Sequence, residues 1–255
     1  MTQPRPGFRA ALSNRTIQMT LGALAFLAAT ATGAALGLQS TGSGSVGDKA
    51  AIEQIVHDYI LEHPEIIPEA MEKLQAKRVA GSIDASRKAI ETPYAGAWEG
   101  TAQADVTVVE FFDYACGYCR ASLPDLAKLV GEDKRVKVVY RELPILSDES
   151  ADAAKVSLLA AEKGQYMPYH RALYDSGKVT RESILSAAAK IGINRAAAEA
   201  AMASTKYDAE LQSNIALAQK LHASGTPTFV IGDQVLNGAV GYDALKKAVE
   251  AARGK

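Results

Sequence analysis

The run VTVVEFFDYACGYC, residues 106–119, constrains the fold most. Its first half is β-branched and aromatic without polar alternation, the pattern of a strand covered on both faces, so the chain must supply a layer on each side of it. A helix-forming stretch, CGYCRASLPDLAKLVGED, follows at once, with a bend predicted at Pro124. VKVVYRELP reads as a second strand. From Asp148 to about Ala223 nearly every residue favours helix, with breaks at Gly164, Gly177 and Gly192. TPTFVIGDQVLNG then reads as two strands around a Gly232-Asp233 turn, and YDALKKAVEAARG closes the chain as an amphipathic helix. The order β-α-β, helical block, β-β-α predicts an α/β sandwich with a mixed sheet and a helical insertion at about 148–223. A hydrophobic fraction of 48% over 255 residues suffices for such a core. A net charge of -1 supplies no basic field for a nucleic-acid backbone, and no Gly-rich loop precedes a helix to cradle a nucleotide.

The chain holds two cysteines, Cys116 and Cys119, too few for a four-ligand zinc site. Their position at the junction of strand and helix carries the chemistry. A helix N-terminus presents unpaired N–H groups and a partial positive charge to the first cysteine, which stabilises its thiolate. The second lies one turn inward and is expected to be buried. A thiolate at Cys116 attacks a disulfide, and Cys119 resolves the mixed disulfide by attacking the outer sulfur. A structural crosslink across so short a loop gains only about 2 kcal/mol and is a poor use of the pair. The alternative use is carriage of a soft metal such as Cu(I), which accepts two thiolates.

Glu110 stands in the apolar strand six positions before Cys116. Carboxylates in such company are rare without a function, and this one reads as a proton acceptor, acting through water, for Cys119. The competing reading turns it to a sheet edge or pairs it with Lys137 or Arg141. Thr226 and Pro227 open the strand TPTFVIG. Proline there is ordinary strand-start chemistry, whereas a cis peptide would present the Thr226 backbone to a substrate segment and keep metal from the sulfurs. His222 is read as a solvated helix-end residue, and His57, His63 and His170 are assigned no chemistry. Trp98 reads as a packing anchor.

Arg5, Arg9 and Arg15 precede the apolar run MTLGALAFLAATATGAALGL, with no acid before Asp48, so residues 1–38 read as an export leader. Its length of 20 lies at the border between a cleaved signal and a retained inner-membrane anchor, and Ala29 and Ala31 offer a cleavage site. Residues 39–47 read as a flexible tether. Over 48–78, Ile52, Ile55, Val56, Tyr59 and Ile60, and then Ile67, Ala70, Met71 and Leu74, fall at helical spacing on either side of Pro64 and Pro68. Two short amphipathic helices cannot bury their stripes alone, so they must dock on the main domain or on other copies of the chain. Residues 79–100 read as a partly helical linker.

EFFDYACGYC, the helical insertion and SGTPTFVIGDQVLNG together resemble the DsbA-like branch of the thioredoxin-fold thiol:disulfide oxidoreductases, over residues 101–255. IEQIVHDYILEHPEIIPEAMEKL resembles the N-terminal oligomerisation arm of the ScsC and Com1 subgroup. The resemblance implies a thioredoxin fold with an inserted helical domain behind a helical arm, in a periplasmic enzyme. It implies that Cys116 is the exposed nucleophile, Cys119 the resolving thiol, Glu110 the buried acid and Pro227 the cis-proline facing them, after Thr226. No cofactor beyond a Cys116-Cys119 redox disulfide is implied. The implied partners are protein thiol and disulfide clients, a membrane redox partner and other copies of the chain. Gly117-Tyr118 departs from the Pro-His of strong oxidases and is similar to the dipeptide of periplasmic disulfide isomerases. The ScsC resemblance to copper-tolerance systems keeps a copper-handling role as the second reading.

Overall fold

The computed structural model describes residues 46–254, so the expected leader, with its cleavage or anchoring, and the start of the tether lie outside the described residues. The chain divides into two units, the second beginning at His57. Helix α1 spans Val46–Glu62. Its apolar residues Ile52, Ile55 and Val56 are all exposed, by 51% or more.

Helix α2 spans Ile66–Glu91, and Pro64 sits in the break between the two helices, where proline cannot continue the first. The remaining elements are β1 (Trp98–Gly100), β2 (Val106–Phe112), α3 (Gly117–Glu132), β3 (Val136–Glu142), α4 (Asp148–Glu162), α5 (Tyr166–Asp175), α6 (Arg181–Lys190), α7 (Arg195–Ala203), α8 (Asp208–Lys220), β4 (Thr228–Ile231), β5 (Gln234–Asn237) and α9 (Tyr242–Arg253). The five strands form one mixed sheet in the order β1-β3-β2-β4-β5, with β2 parallel to β3 and antiparallel to β4. The inserted helices run from α4 to α8, and the first three breaks between them place Gly164, Gly177 and Gly192 at positive φ, where a side chain would strain the turn.

Strand periodicity assigns the two faces. Val108, Phe112, Val138, Tyr140 and Phe229 belong to one core, shared with both cysteines, Leu126 of α3 and Leu245 of α9. Val109, Phe111, Val139 and Val230 belong to the other, shared with Ile83 and Ile90 of α2 and Leu217 of α8. Both faces of β2 are therefore covered, as its unbroken apolarity requires. Each of these large side chains contributes about 1.5–3 kcal/mol on burial.

The stretch 79–100 is not a linker throughout. Helix α2 continues through it to Glu91, with Ile83 and Ile90 fully buried, and Trp98 opens an edge strand paired with β3. Scattered Gly and charge hid a two-residue apolar stripe, spaced by two helical turns, that packs under the sheet. Buried Arg141 fixes the end of α2: its guanidinium donates to the carbonyls of Ala89, Ile90 and Thr92, to Glu210 at 2.8 Å and to Asn214 at 3.1 Å. On the same helix, Arg87 donates to Asp233 at 2.6 Å and to the Gly232 carbonyl at 3.0 Å, at the β4–β5 turn.

Candidate functional site

Cys116 is the N-cap of α3. Its backbone is extended, at φ -80° and ψ 114°, and its sulfur accepts a hydrogen bond from the Cys119 N–H at 3.4 Å. A sulfur in this place takes up a helix N–H that nothing else in the helix can satisfy. Both cysteines are free thiols. The Cys116 thiol also donates to the carbonyl of Thr226 at 3.2 Å, and the Thr226–Pro227 peptide is cis. The turn before β4 thus lies against the helix terminus, 110 residues away in sequence.

Cys116 is 6% exposed and Cys119 1%. Cys116 is therefore buried in the free chain rather than partly exposed as expected, with the Thr226 carbonyl against its sulfur. The ordering is as expected. Burial pushes the Cys119 thiol up, and the charge of Glu110 adds to the effect.

Glu110 is fully buried on the face of the sheet that carries the cysteines. Burial raises its carboxyl well above the ordinary value, and the charges of Cys116 and then Glu99 raise it further. Its Oε1 has no hydrogen-bond partner among the described residues. Neither Lys137 nor Arg141 neutralises it. In the β2–β3 register Glu110 stands opposite Tyr140, while Lys137 and Arg141 alternate onto the other face. The buried acid raises the Cys119 thiol and is itself raised by burial, so a proton leaving Cys119 has an acceptor of raised basicity close by.

Two family descriptions match the chain: a DSBA-like thioredoxin domain over residues 107–250, and the N-terminal domain of copper resistance protein ScsC over residues 48–80. The chain belongs to the DsbA-like thioredoxin family. A thioredoxin-like oxidoreductase from Silicibacter pomeroyi DSS-3 is 38% identical to it, with a TM-score of 0.63 over 66% of this chain and 98% of its own. Proteus mirabilis ScsC in a transitional conformation is 27% identical, with a TM-score of 0.63 over 82% of this chain and 97% of its own. Among curated proteins, the thiol:disulfide interchange protein DsbA of Bordetella pertussis is 24% identical over 144 residues, 53% of this chain and 67% of that protein. The Na(+)/H(+) antiporter NhaA 1 of Salinispora arenicola is 26% identical over 156 residues, 60% of this chain, so the chain spans about a quarter (24%) of that relative's length.

Within this DsbA-like site the dipeptide between the cysteines is exposed, Tyr118 by 71%. Several residues around it carry no motif. Asp113 is buried and its carboxylate accepts four hydrogen bonds: Oδ1 from the Ala115 N–H at 2.7 Å and the Ser150 hydroxyl at 2.6 Å, and Oδ2 from the N–H groups of Ile145 and Leu146 at 2.8 and 2.9 Å. One carboxylate therefore ties the segment entering Cys116 to the loop after β3, where Ile145 and Leu146 are 51% and 53% exposed. Its only sequence signal was a polar residue directly after an apolar strand.

Behind the cysteines, His170 is fully buried among Phe112, Tyr114, Tyr140, Tyr166 and Tyr174. Its Nδ1 lies 3.0 Å from the Tyr114 hydroxyl, which lies 2.9 Å from Ser157. Burial pushes its imidazole down to about 3, so it is neutral across the physiological range. His222 is exposed, at φ 53° just past the end of α8. Among the described residues no group of three or more His, Cys, Asp or Glu side chains is placed to hold a metal ion.

Proposed function

We infer that this chain is a thiol-disulfide oxidoreductase in which Cys116 attacks and Cys119 resolves. The observation that carries the reading is the Cys116 sulfur, cap of α3, lying 3.2 Å from the carbonyl that precedes a cis proline, with a buried thiol one turn behind it. An extended client strand beside Thr226 would bring its own sulfur to Cys116. The exposed Tyr118, Ile145 and Leu146 would give that client apolar contact, and protein substrates in non-native states offer apolar side chains for it. After attack, Cys119 gives up its proton to Glu110, attacks the Cys116 sulfur and releases the client as a thiolate. The relatives described as an oxidoreductase and as a thiol:disulfide interchange protein support this chemistry.

The arm supports assembly. Ile52, Ile55 and Val56 in the first unit, and Tyr59, Leu61, Ile67, Met71 and Leu74 in the second, are each 47% or more exposed. Two helices that leave this much apolar surface uncovered fit an association of copies, which would place several active sites around one client and favour reshuffling of wrong disulfides over simple donation. Gly117-Tyr118 points the same way. A membrane partner would recycle the pair. A periplasmic location is supported by the Salmonella enterica serovar Typhimurium thioredoxin-like protein described as periplasmic, 28% identical over 66% of this chain.

The test is a pair of variants. Cys116→Ala abolishes disulfide exchange with a scrambled client, and Cys119→Ala accumulates a mixed disulfide; full turnover in either removes the mechanism. Copper handling is the second reading, supported by the match of residues 48–80 to a copper resistance protein's N-terminal domain. Titration of the reduced chain with Cu(I) against a chelator separates the two, since a carrier retains sub-micromolar metal on Cys116 and Cys119 and an exchange enzyme does not.

A further inference from the structure

Asp113 follows β2 directly, and the turn it opens, Asp113–Cys116, carries the reactive sulfur. Its carbonyl accepts from the Cys116 N–H at 3.0 Å and from the Tyr174 hydroxyl of α5 at 3.0 Å. Its Oδ1 closes the turn on the Ala115 N–H as an Asx turn, and takes the hydroxyl of Ser150 in the first turn of α4. Its Oδ2 takes two successive backbone N–H groups, those of Ile145 and Leu146, 32 and 33 residues further along the chain. The loop between β3 and α4 is also tied at its two ends. The Leu143 N–H donates to the Phe112 carbonyl at 2.8 Å, and Ser147 caps α4 by accepting from the Ser150 N–H at 3.1 Å. Between those ends it is Asp113 that holds the backbone, while the side chains of Ile145 and Leu146 stay half exposed. Two large apolar side chains are thus fixed, facing solvent, through the same carboxylate that shapes the turn into Cys116. Exposed apolar groups add to binding only as far as they are ordered before the partner arrives. Both oxygens of Asp113 act as acceptors, which an amide cannot reproduce on both sides.

We propose that Asp113 sets the chain's preference for disulfides flanked by apolar side chains, by locking Ile145 and Leu146 at a fixed place relative to the Cys116 sulfur. The inference rests on the disulfide-exchange reading above. The step it serves is the attack. The Cys116 thiolate forms a bond to one sulfur of the client disulfide, the client S–S bond breaks, and the second client sulfur takes the electron pair and leaves as thiolate. A client whose apolar residue rests on Ile145 and Leu146 is held with its disulfide at Cys116, and a loop free to move relative to the sulfur loses that alignment. A small polar disulfide has no side chain for the loop and gains nothing from it. The Asp113 carboxylate touches neither reacting sulfur, so Asp113 is a positioning residue.

The test uses the reduced full-length chain carrying Cys119→Ala, in which the reaction stops at the mixed disulfide and only the attack is read. Mixed-disulfide formation is followed by mass spectrometry of quenched samples with three substrates: oxidised glutathione, a peptide disulfide with Leu beside each cysteine, and the same peptide with Ser in place of Leu. In this background Asp113→Asn keeps the side chain's size, but whichever way the amide turns, its NH2 group meets the Ala115 N–H or those of Ile145 and Leu146. The preference for the Leu peptide over the Ser peptide is expected to fall by roughly tenfold, the scale of one lost apolar anchor, through a higher half-saturating peptide concentration. Attack on oxidised glutathione is expected to stay unchanged. Ile145→Ser with Leu146→Ser, which leaves both backbone donors in place, is expected to lose the same preference, and adding Asp113→Asn to it to cost nothing further. An equal slowing of all three substrates by Asp113→Asn, an unchanged preference, or losses that multiply in the combined variant each overturn the proposal. If Asp113→Asn does not fold, the Ile145→Ser and Leu146→Ser chain still decides, since a preference that survives it overturns the proposal. Failure of the underlying reading looks different: the Cys119→Ala chain then forms no mixed disulfide with any of the three substrates.

Discussion

Replacing Glu110 by Gln keeps its size and removes its ionisation, and the consequence for stability can be worked out from burial alone. The folded chain raises the carboxyl of Glu110 well above its ordinary value, chiefly by desolvation. Between about pH 4.3, where the unfolded chain releases this proton, and the raised folded value, the native state binds more protons than the unfolded one, so stability falls as pH rises. The slope is at most about 1.4 kcal/mol per pH unit, which limits the penalty to about 1 kcal/mol at pH 5 and about 3.7 kcal/mol at pH 7. Glu110→Gln removes this pH-dependent part. The new amide brings unpaired donors that cost roughly 1–3 kcal/mol, but that offset does not vary with pH. Urea unfolding of the reduced Glu110→Gln and unaltered chains at pH 5 and pH 7 therefore shows the variant gaining relative stability with pH, by up to about 2.7 kcal/mol between the two conditions. A difference that is flat across this window, or that grows in favour of the unaltered chain, refutes the placement of Glu110 as a buried, unpaired acid.

Two other outcomes follow from the same physics. Deleting residues 48–78 removes the exposed stripe of α1 and early α2 but keeps Ile83, Arg87 and Ile90, which anchor α2 to the sheet. Light scattering is expected to show the mass falling to that of a single folded chain, and an unchanged multiple would remove the arm from assembly. His170 is held neutral down to about pH 3, below its unfolded value near 6.5, so acidification through that interval destabilises the native state by up to about 1.4 kcal/mol per pH unit. His170→Phe removes this term, and its acid-unfolding midpoint is expected to lie at lower pH; an equal or higher midpoint contradicts the burial of a neutral imidazole.

The catalytic half of the molecule was legible because its signals are local. An uninterrupted apolar strand, a cysteine pair at a helix start and a Thr-Pro strand opening each constrain their own neighbourhood. The glycine breaks in the insertion likewise marked the helix ends at Glu162, Asp175 and Lys190. What was missed depends on partners distant in sequence. Asp113 gains its role from Ile145, Leu146 and Ser150, and Arg141 from the last carbonyls of α2. His170 looked like an isolated residue of an amphipathic helix because Phe112, Tyr114 and Tyr140 of its aromatic shell come from β2, the segment after it and β3. The stretch 79–100 looked polar because along that part of α2 only Ile83 and Ile90 are fully buried, with Val79 partly covered against the same core. Glu110 was identified by its apolar company, whereas its lack of a cation required the strand register, which puts Lys137 and Arg141 on the opposite face.

The central claim is that the two sulfurs differ in reach and in readiness to ionise, and it is tested most directly by alkylating the reduced chain with iodoacetamide and locating the label by mass spectrometry at several pH values. Cys116 is expected to carry nearly all the early label, with Cys119, whose thiol burial pushes up, following only at strongly alkaline pH or on unfolding. Equal labelling of both cysteines at every pH, or earlier labelling of Cys119, would contradict the account.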